Sequence, residues 1–499
     1  MQKTYINFMN EITANKLYHG LLAHGFFSEK FPPFLTSENF FDYCEKLNQP
    51  FSDKEYQYIY YESMRNINVT RQLGIPNPFA YQRLCKCLSD NWDKLKQHFE
   101  KQTSGQNYKI SRIHIRKLKD KPCLFEMNYN NWKIDGSPEP DLLIGKRYLV
   151  KADISTCFPS IYTHSIPWAL IGKEKAKGDR DRTKWYNKID HFSQNVKNGE
   201  THGLIIGPHA SNLLSELILT VVDRQLYEAG WKHIRNIDDY TCYVSTYEEG
   251  QQFLTGLNTY LRNFDLSLNC RKTEILELPM PSIEQWVRQV NSISLVLKNK
   301  KVDFKIARGY LDFAVELMQN NNKNSAILNY AIKVLSKQSL TDNAKAFCVK
   351  TVFHLAVIYP YLIPLLESNL FTPFNVDIGQ INNFSQIILK EGVKSHNYEE
   401  VSYAIYFSLK YNFLLPELTA QYAYDSDNCI VRLLAYLYFD KCNDRVSKKL
   451  LKDKAKALVS NHDDFNRNWL FVYEVLPQSD LKDEWKPMKK KGITFVKAL

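Results

Sequence analysis

Two aspartates, Asp238 and Asp239, stand side by side at the centre of RNIDDYTCYV, residues 235–244. The flanking HIRNI and YTCYV are rich in β-branched and aromatic residues, so the stretch reads as a β-hairpin with the polar pair at its turn. Adjacent carboxylates at a hairpin tip repel each other and are costly to bury unless a cation neutralises them. A solvated Asp-Asp turn is the plain alternative, because aspartate is a common turn residue in its own right. A third carboxylate changes the balance. In RYLVKADISTCFPSIYTHSI, residues 147–166, an apolar strand runs into Asp153 and Ile154. If that strand pairs with the hairpin, Asp153 and Asp238 converge. Oxygen ligands, with positions left open for phosphates and retained waters, are what magnesium requires. Two such ions about 3.5–4 Å apart stabilise both the attacking and the leaving oxygen of an in-line phosphoryl transfer.

Further segments could position these groups. RQLGIPNPFAYQRL, residues 71–84, places Arg71 ahead of prolines that fix an extended chain. A guanidinium fork matches phosphate oxygens as a lysine cannot, although a surface salt bridge would also account for it. Arg65 is a weaker second choice. THGLIIGPHASNLLSE, residues 201–216, supplies Gly203 and Gly207, which allow close backbone approach. LSLNCRKTEI, residues 266–275, carries Lys272. RIHIRKLKDK, residues 112–121, alternates basic and apolar residues like a strand with one cationic face. That face could track a nucleic-acid backbone or simply be solvated.

Taken in order, these segments resemble the palm of reverse transcriptases over about residues 65–280. Asp153 with Phe158 looks like the first catalytic motif, Thr201 onward the second, NIDDY the metal-binding hairpin, and the segment with Lys272 the fourth. The segment from Arg71 is similar to the part of the fingers that presents an arginine to the incoming triphosphate. The resemblance implies Asp153, Asp238 and Asp239 as catalytic residues. It implies a metal set of Asp153, Ile154 and Asp238 for two Mg2+ (or Mn2+) ions, and nucleotide contacts from Arg71, Phe158, Gly203 and Lys272. Phe158 would pack under the sugar and exclude a 2′-hydroxyl, which selects dNTPs; a core phenylalanine fits the same position. Lys272 would act near the leaving pyrophosphate, with a surface lysine beside Glu274 as the plain alternative.

A narrower likeness lies in IYTHSIPW after the first motif, the THG opening of the second, and the long helical C-terminal half. These resemble the abortive-infection polymerases of bacteria and prophages, the AbiK type. That likeness implies phage defence by protein-primed, template-independent DNA synthesis on a tyrosine of the chain itself. It also implies a single-stranded DNA product covalently attached to the protein, and a homo-oligomer. His202 stands where a glutamine is usual, Gly207 where a serine is, and Asn236 where an aromatic is, and these departures put templating in doubt. The alternatives are a template-copying RNA-directed DNA polymerase of retron or group-II type and a non-catalytic polymerase-like scaffold; the retained aspartates argue against the scaffold. Terminal segments are the least tied-down parts of most domains. Tyr5 and then Tyr18 therefore lead as priming candidates, with Tyr43 third because it sits in an aromatic cluster.

At 499 residues the chain is long enough for several domains, and 44% hydrophobic with 24% charged residues is ordinary for a soluble globular protein. A net charge of +11 favours a polyanionic partner without demanding one. The 31 tyrosines and 28 phenylalanines, interleaved with Lys and Arg, suit single-stranded nucleic acid, though most must be core. Cys85 and Cys87 are too close for a zinc knuckle or a CxxC redox pair. The N-terminus lacks a secretory pattern. The longest apolar run, residues 352–366, is broken by His354, Pro360 and Pro364 and is short for a bilayer. A reduced, cytoplasmic, soluble protein with no membrane association is expected.

The expected fold class is α+β: reverse-transcriptase-like fingers and palm followed by an all-α HEAT-like helical-repeat domain. N-terminal helices and fingers would occupy 1–145, the palm 146–280 and the helical domain 281–499. Beyond Pro281, segments such as IEQWVRQVNSISLVLKN, GYLDFAVELMQ, SAILNYAIKVLS, EVSYAIYFSLKY and CIVRLLAYLYF show apolar residues at three- and four-residue spacing. Their excess over a polymerase thumb suggests a lid, a channel wall or an oligomer interface. Ser37 is placed to cap a helix carrying Phe40, Phe41 and Cys44. The closing KPMKKKGITFVK reads as a basic tail.

Overall fold

The structure is a computed structural model that describes residues 4–66, 69–119, 121–125, 135–281, 284–293 and 301–498. Strands β1 (Ile59–Asn66) and β2 (Val69–Ile75) form an antiparallel hairpin in which Ser63 faces Arg71 and Tyr60 faces Gly74. Ile59, Tyr61 and Ser63 are buried while Tyr60 and Glu62 are exposed, the period-two pattern of a strand covered on one face. Four further strands, β3 (Tyr148–Asp153), β4 (His233–Asn236), β5 (Asp239–Val244) and β6 (Glu274–Glu277), make one antiparallel sheet in the order β4-β5-β3-β6.

The helix His209–Glu228 is buried on nearly every side, as an element apolar around its circumference must be. The helices Trp92–Thr103, Ser165–Ile171 and Tyr247–Arg262 pack against it, and the last also lies on β3 and β5. The apolar sides of β3 and β5, with Val150, Ala152, Cys242 and Val244, are thereby sealed, and the carboxylate ends of these strands are held in fixed register.

After β6 the described chain is helical. Phe304–Asn320, Ser325–Leu335, Asp342–Ile358, Ile378–Ser395, Tyr398–Tyr411 and Cys429–Lys441 fall on the segments whose spacing predicts helices. The first of those segments gives Gln285–Ser292, and its remainder at 294–300 lies outside the described residues. Asp303, Asn324, Asp377, Asn397 and Asn428 each accept from amides of the helix they precede, which satisfies donors that have no partner within the helix. The architecture is α+β with an extensive helical region. Glu399 joins that region to the β1–β2 hairpin, accepting from the Ser63 hydroxyl at 2.9 Å and the Met64 amide at 2.7 Å.

Several local expectations are corrected. Ser37 precedes the helix Glu38–Glu45, but its hydroxyl donates to the carbonyls of Leu22 and Ala23, because the preceding helix ends beside it. Residues 112–119 and 121 form no strand, and their exposed basic residues are Lys117, Lys119 and Lys121; Asp120 lies outside the described residues. Arg112, His114 and Arg116 are buried, because the equally buried Asp135 draws Arg116 (2.6 Å) and Lys109 inward. The basic tail keeps Lys486, Lys490, Lys491 and Lys497 exposed but is anchored by its apolar residues. Phe495 is buried against Phe26, Phe40 and Trp469, and Val496 bridges Leu35, so apolar burial outweighs the pull of the neighbouring lysines towards water. Among the described residues no helix is long and apolar enough to cross a membrane.

Candidate active site

The register of β3 against β5 places Asp153 opposite Asp239, and the β4–β5 turn consists of Ile237 and Asp238. Sheet formation therefore brings the two sequence-distant carboxylate positions together, and the Ile154 amide donates to the Asp238 carbonyl at 3.1 Å. One carboxylate oxygen from each of Asp153, Asp238 and Asp239 lies within 4.8 Å of the others. Asp153 is buried, Asp238 half-buried and Asp239 exposed. Desolvation and then the charge of Asp153 push the Asp238 carboxyl above its ordinary range, with Lys272 and Arg71 opposing. Desolvation and the charge of Asp238 push Asp239 up to about 7. An all-oxygen donor set crowded enough to resist ionisation fits a hard divalent cation. Ile154 can contribute to such a site only through its carbonyl.

Lys272 sits on the single turn Cys270–Lys272, with Nζ 3.2 Å from Asp153 Oδ2. Asn269, which the sequence reading did not single out, donates through Nδ2 to the same oxygen at 2.8 Å. Its only signal was its place three residues before Lys272.

Phe158, half-buried on the short helix Cys157–Ser160, is tied to the glycine-rich segment by its backbone. The Leu204 amide donates to the Phe158 carbonyl and the Gly203 amide to the Ile161 carbonyl, both at 2.8 Å. Gly203 has φ +84°, and a Cβ there would stand 2.9 Å from the Pro159 carbonyl oxygen. Gly207, at φ +130°, lets the chain pass close to Gly74, whose amide donates to the Ile206 carbonyl at 2.9 Å. That bond fastens β2, and with it Arg71, to the glycine-rich segment. Arg71 is near enough for its charge to favour ionised Asp238. The backbone carbonyl of Arg65, the second arginine candidate, accepts from the Ser325 hydroxyl at 3.1 Å.

Beneath the hairpin lies an ion network that the sequence reading missed. Arg235 is 0% exposed. It is paired with Asp223 through Nη2 at 2.7 Å and with Glu216 through Nη1 at 3.1 Å, and it donates to the Ile237 carbonyl at 2.8 Å. Its partners lie on the buried helix His209–Glu228, so no local spacing marks the pairing.

The tyrosine expectations need correction at their premise. Tyr5 is 3% exposed, its hydroxyl donating to Glu216 at 2.9 Å and its ring packed on His114, so it is not on a loosely held terminus. Tyr18 is likewise buried and accepts from Gln82 at 2.8 Å. In both, burial drives the phenol far above its ordinary range. Tyr43 is half-buried, with its phenol raised by desolvation.

Residues 80–304 match the family model described as reverse transcriptase (RNA-dependent DNA polymerase). The matched segment is a reverse-transcriptase domain, and the class it defines is a nucleotidyltransferase, a DNA polymerase of reverse-transcriptase type. Among solved structures, the chain is similar to apo telomerase from Candida Tropicalis truncated from its C-terminal domain. That match has 13% identity and a TM-score of 0.30, and covers 48% of this chain and 54% of that one. Apo telomerase from the same organism matches with 12% identity and a TM-score of 0.35, over 74% of this chain and 71% of that one. The chain thus spans about half the length of the first of these structures. No curated protein matches the sequence.

Proposed function

We propose that the chain is a phage-defence DNA polymerase of the abortive-infection type, acting in the cytoplasm as a homo-oligomer. It adds dNTPs to a tyrosine of its own without a template, so that the single-stranded product stays covalently attached. The observation that carries the polymerase reading is the convergence of Asp153, Asp238 and Asp239 inside a reverse-transcriptase domain. Two Mg2+ or Mn2+ ions, held by Asp153, Asp238 and the Ile154 carbonyl, would supply charge neutralisation at the phosphates and a more acidic attacking hydroxyl. Asp239 crowds the first two carboxylates and keeps the donor set dependent on a cation. Lys272, beside Asp153, serves the departing pyrophosphate, and Arg71 meets the triphosphate from β2. Gly203 and Phe158 shape the sugar pocket through their shared backbone bonds.

In the priming step the phenol oxygen bonds to the α-phosphorus of a dNTP, the bond to pyrophosphate breaks, and the phenolic proton passes to solvent. Tyr43 leads on exposure, since the hydroxyls of Tyr5 and Tyr18 are engaged in the core. The priming and untemplated character rest on the sequence likeness and on His202, Gly207 and Asn236. The proposed organisation keeps fingers within 1–145, palm within 146–280 and a HEAT-like region over 281–499.

Incubating purified protein with magnesium and labelled dNTPs, with and without added template, tests the reading. The expected product migrates with the denatured protein, forms without template, and is lost in Tyr43→Phe. Asp238→Asn removes a ligand charge where one lost electrostatic contact costs about 10²–10³ in rate, so synthesis should vanish while the fold stays intact. Product free of protein and dependent on RNA would instead select a template-copying enzyme, and full activity in Asp238→Asn would remove the site.

A further inference from the structure

A cavity of about 400 Å³ lies away from the aspartates, where the helical region meets β1. The helix Cys429–Lys441 brings Arg432 to its wall, Arg445–Val459 brings Lys454, and His462–Arg467 brings Arg467 and Asp464. Tyr60 of β1, Asp427 and Asn468 also line it. Arg432 is 4% exposed. Its Nη1 donates to the Asn468 side chain at 2.7 Å, while its buried Nε has no partner. Among the described residues, no carboxylate is within ion-pair reach of Arg432, Lys454 or Arg467.

Asp427 and Asp464 share the wall with the three cations and, with Asp425, offset them only in part. Burial holds the Arg432 guanidinium below its ordinary range, with Asp425 and Asp427 opposing only in part. Burial and the charge of Arg432 do the same to Lys454, against Asp425, Asp427 and Asp464. A desolvated guanidinium with an unused donor is costly to keep, and an anion in the cavity would satisfy it. Tyr60 is 47% exposed at the same wall, braced by Tyr58, whose ring centroid is 4.5 Å away and whose hydroxyl donates to it at 2.6 Å.

We propose that this cavity is a second nucleotide site, in which Arg432, Lys454 and Arg467 take a phosphate and Tyr60 offers its ring to the base. A planar fork with two further cations matches phosphate oxygens better than a single carboxylate, and a braced, exposed tyrosine is a sequence-tolerant platform for a base. The size falls within the range of roughly 300–1,000 Å³ typical of small-ligand sites. The choice of a nucleotide over other phosphates rests on the polymerase reading; the anion site does not. The phosphate can belong to a free nucleotide or to a strand.

Equilibrium binding to the full-length protein in EDTA and low salt separates this site from synthesis, because the aspartates then hold no metal. The probes are dATP, 5′-phosphorylated oligo(dT) and inorganic phosphate. We expect dATP or the oligonucleotide to bind the parent protein and Asp238→Asn alike. The double change Lys454→Glu with Arg467→Glu, at a half-buried and an exposed position, should weaken binding roughly tenfold or more, as loss of a charge-assisted contact does. Arg432→Gln should do the same, and Tyr60→Ala should weaken dATP but not inorganic phosphate. Binding of dATP alone marks a free-nucleotide site, and binding of the oligonucleotide alone marks a path for the strand. The proposal is overturned if neither binds, if the double variant binds like the parent, or if Asp238→Asn abolishes binding.

Discussion

Arg235 donates through Nη1 to the carbonyl oxygen of Ile237 at 2.8 Å, and so holds from below the turn that presents Asp238. Ile237 has φ +59°, a left-handed conformation that costs a β-branched residue about 1–2 kcal/mol. The turn keeps that geometry because Arg235 is itself fixed by Asp223 and Glu216. Arg235→Met would leave two carboxylates buried without their cation, at a cost of about 3–5 kcal/mol. Urea unfolding should show that loss, and DNA synthesis should fall with it. Arg235→Lys keeps the charge but not the fork and should lie between. Parent-like stability in Arg235→Met would show that the network does not support the turn.

Sugar selection gives a second expectation. Phe158 is half-buried rather than core, and its carbonyl is locked to Leu204. Phe158→Ala should relieve about 1–3 kcal/mol of overlap with a 2′-hydroxyl, which competition between rNTPs and dNTPs would show as a raised ribonucleotide fraction. An unmoved ratio assigns Phe158 to packing alone.

Glu399 gives the clearest pH dependence. It is fully buried, and desolvation raises its carboxyl to about 7 despite hydrogen bonds from Met64 and Ser63 and the charge of Lys30. The folded state therefore holds a proton that the unfolded state releases near the ordinary glutamate value. Stability conferred by this group is complete at low pH and is lost as pH rises from about 4.5 through 7. The span corresponds to roughly 3 kcal/mol. Glu399→Gln should flatten stability across that window and raise it at pH 8, by urea unfolding at matched ionic strength. Neighbouring Glu400, raised to about 8 by burial and the charges of Glu391 and Glu399, extends the same trend upward. A variant with the parent's pH profile would place the dependence elsewhere.

What the sequence revealed divides by range. The aspartate hairpin, the strand ending at Asp153 and most helices after Pro281 are periodic or local patterns, and burial on one face enforces them. Arg235, Asn269 and Glu399 were not legible, because their partners Asp223, Asp153 and Ser63 come from other elements and only folding creates the pairing. Tyr5 shows the same limit in reverse. A position near the chain start suggests looseness, whereas Glu216 on a buried helix anchors its hydroxyl. The cationic alternation from Arg112 misled at its first half, because Asp135 offers Arg116 a buried partner that the alternation does not reveal.

Gly203 tests how the glycine-rich segment is held against the first motif. At φ +84° an L side chain is strained whatever the surroundings, and here a Cβ would also press on the Pro159 carbonyl and Lys197 Nζ, each 2.9 Å away. The lysine can swing aside, but the Pro159 backbone cannot move without shifting Phe158 beside it. Gly203→Ala should therefore cost about 1–3 kcal/mol in backbone strain and displace the Gly203–Ile161 and Leu204–Phe158 bonds. Because Phe158 would move with them, the Michaelis constant for dNTPs should rise more than stability falls. Gly199→Ala is the matched control. It also has positive φ, +75°, but the three atoms nearest its Cβ all belong to the flexible Glu55 side chain. Comparable dNTP kinetics in the two variants would mean that strain alone, and not the contact with the first motif, accounts for the effect at Gly203.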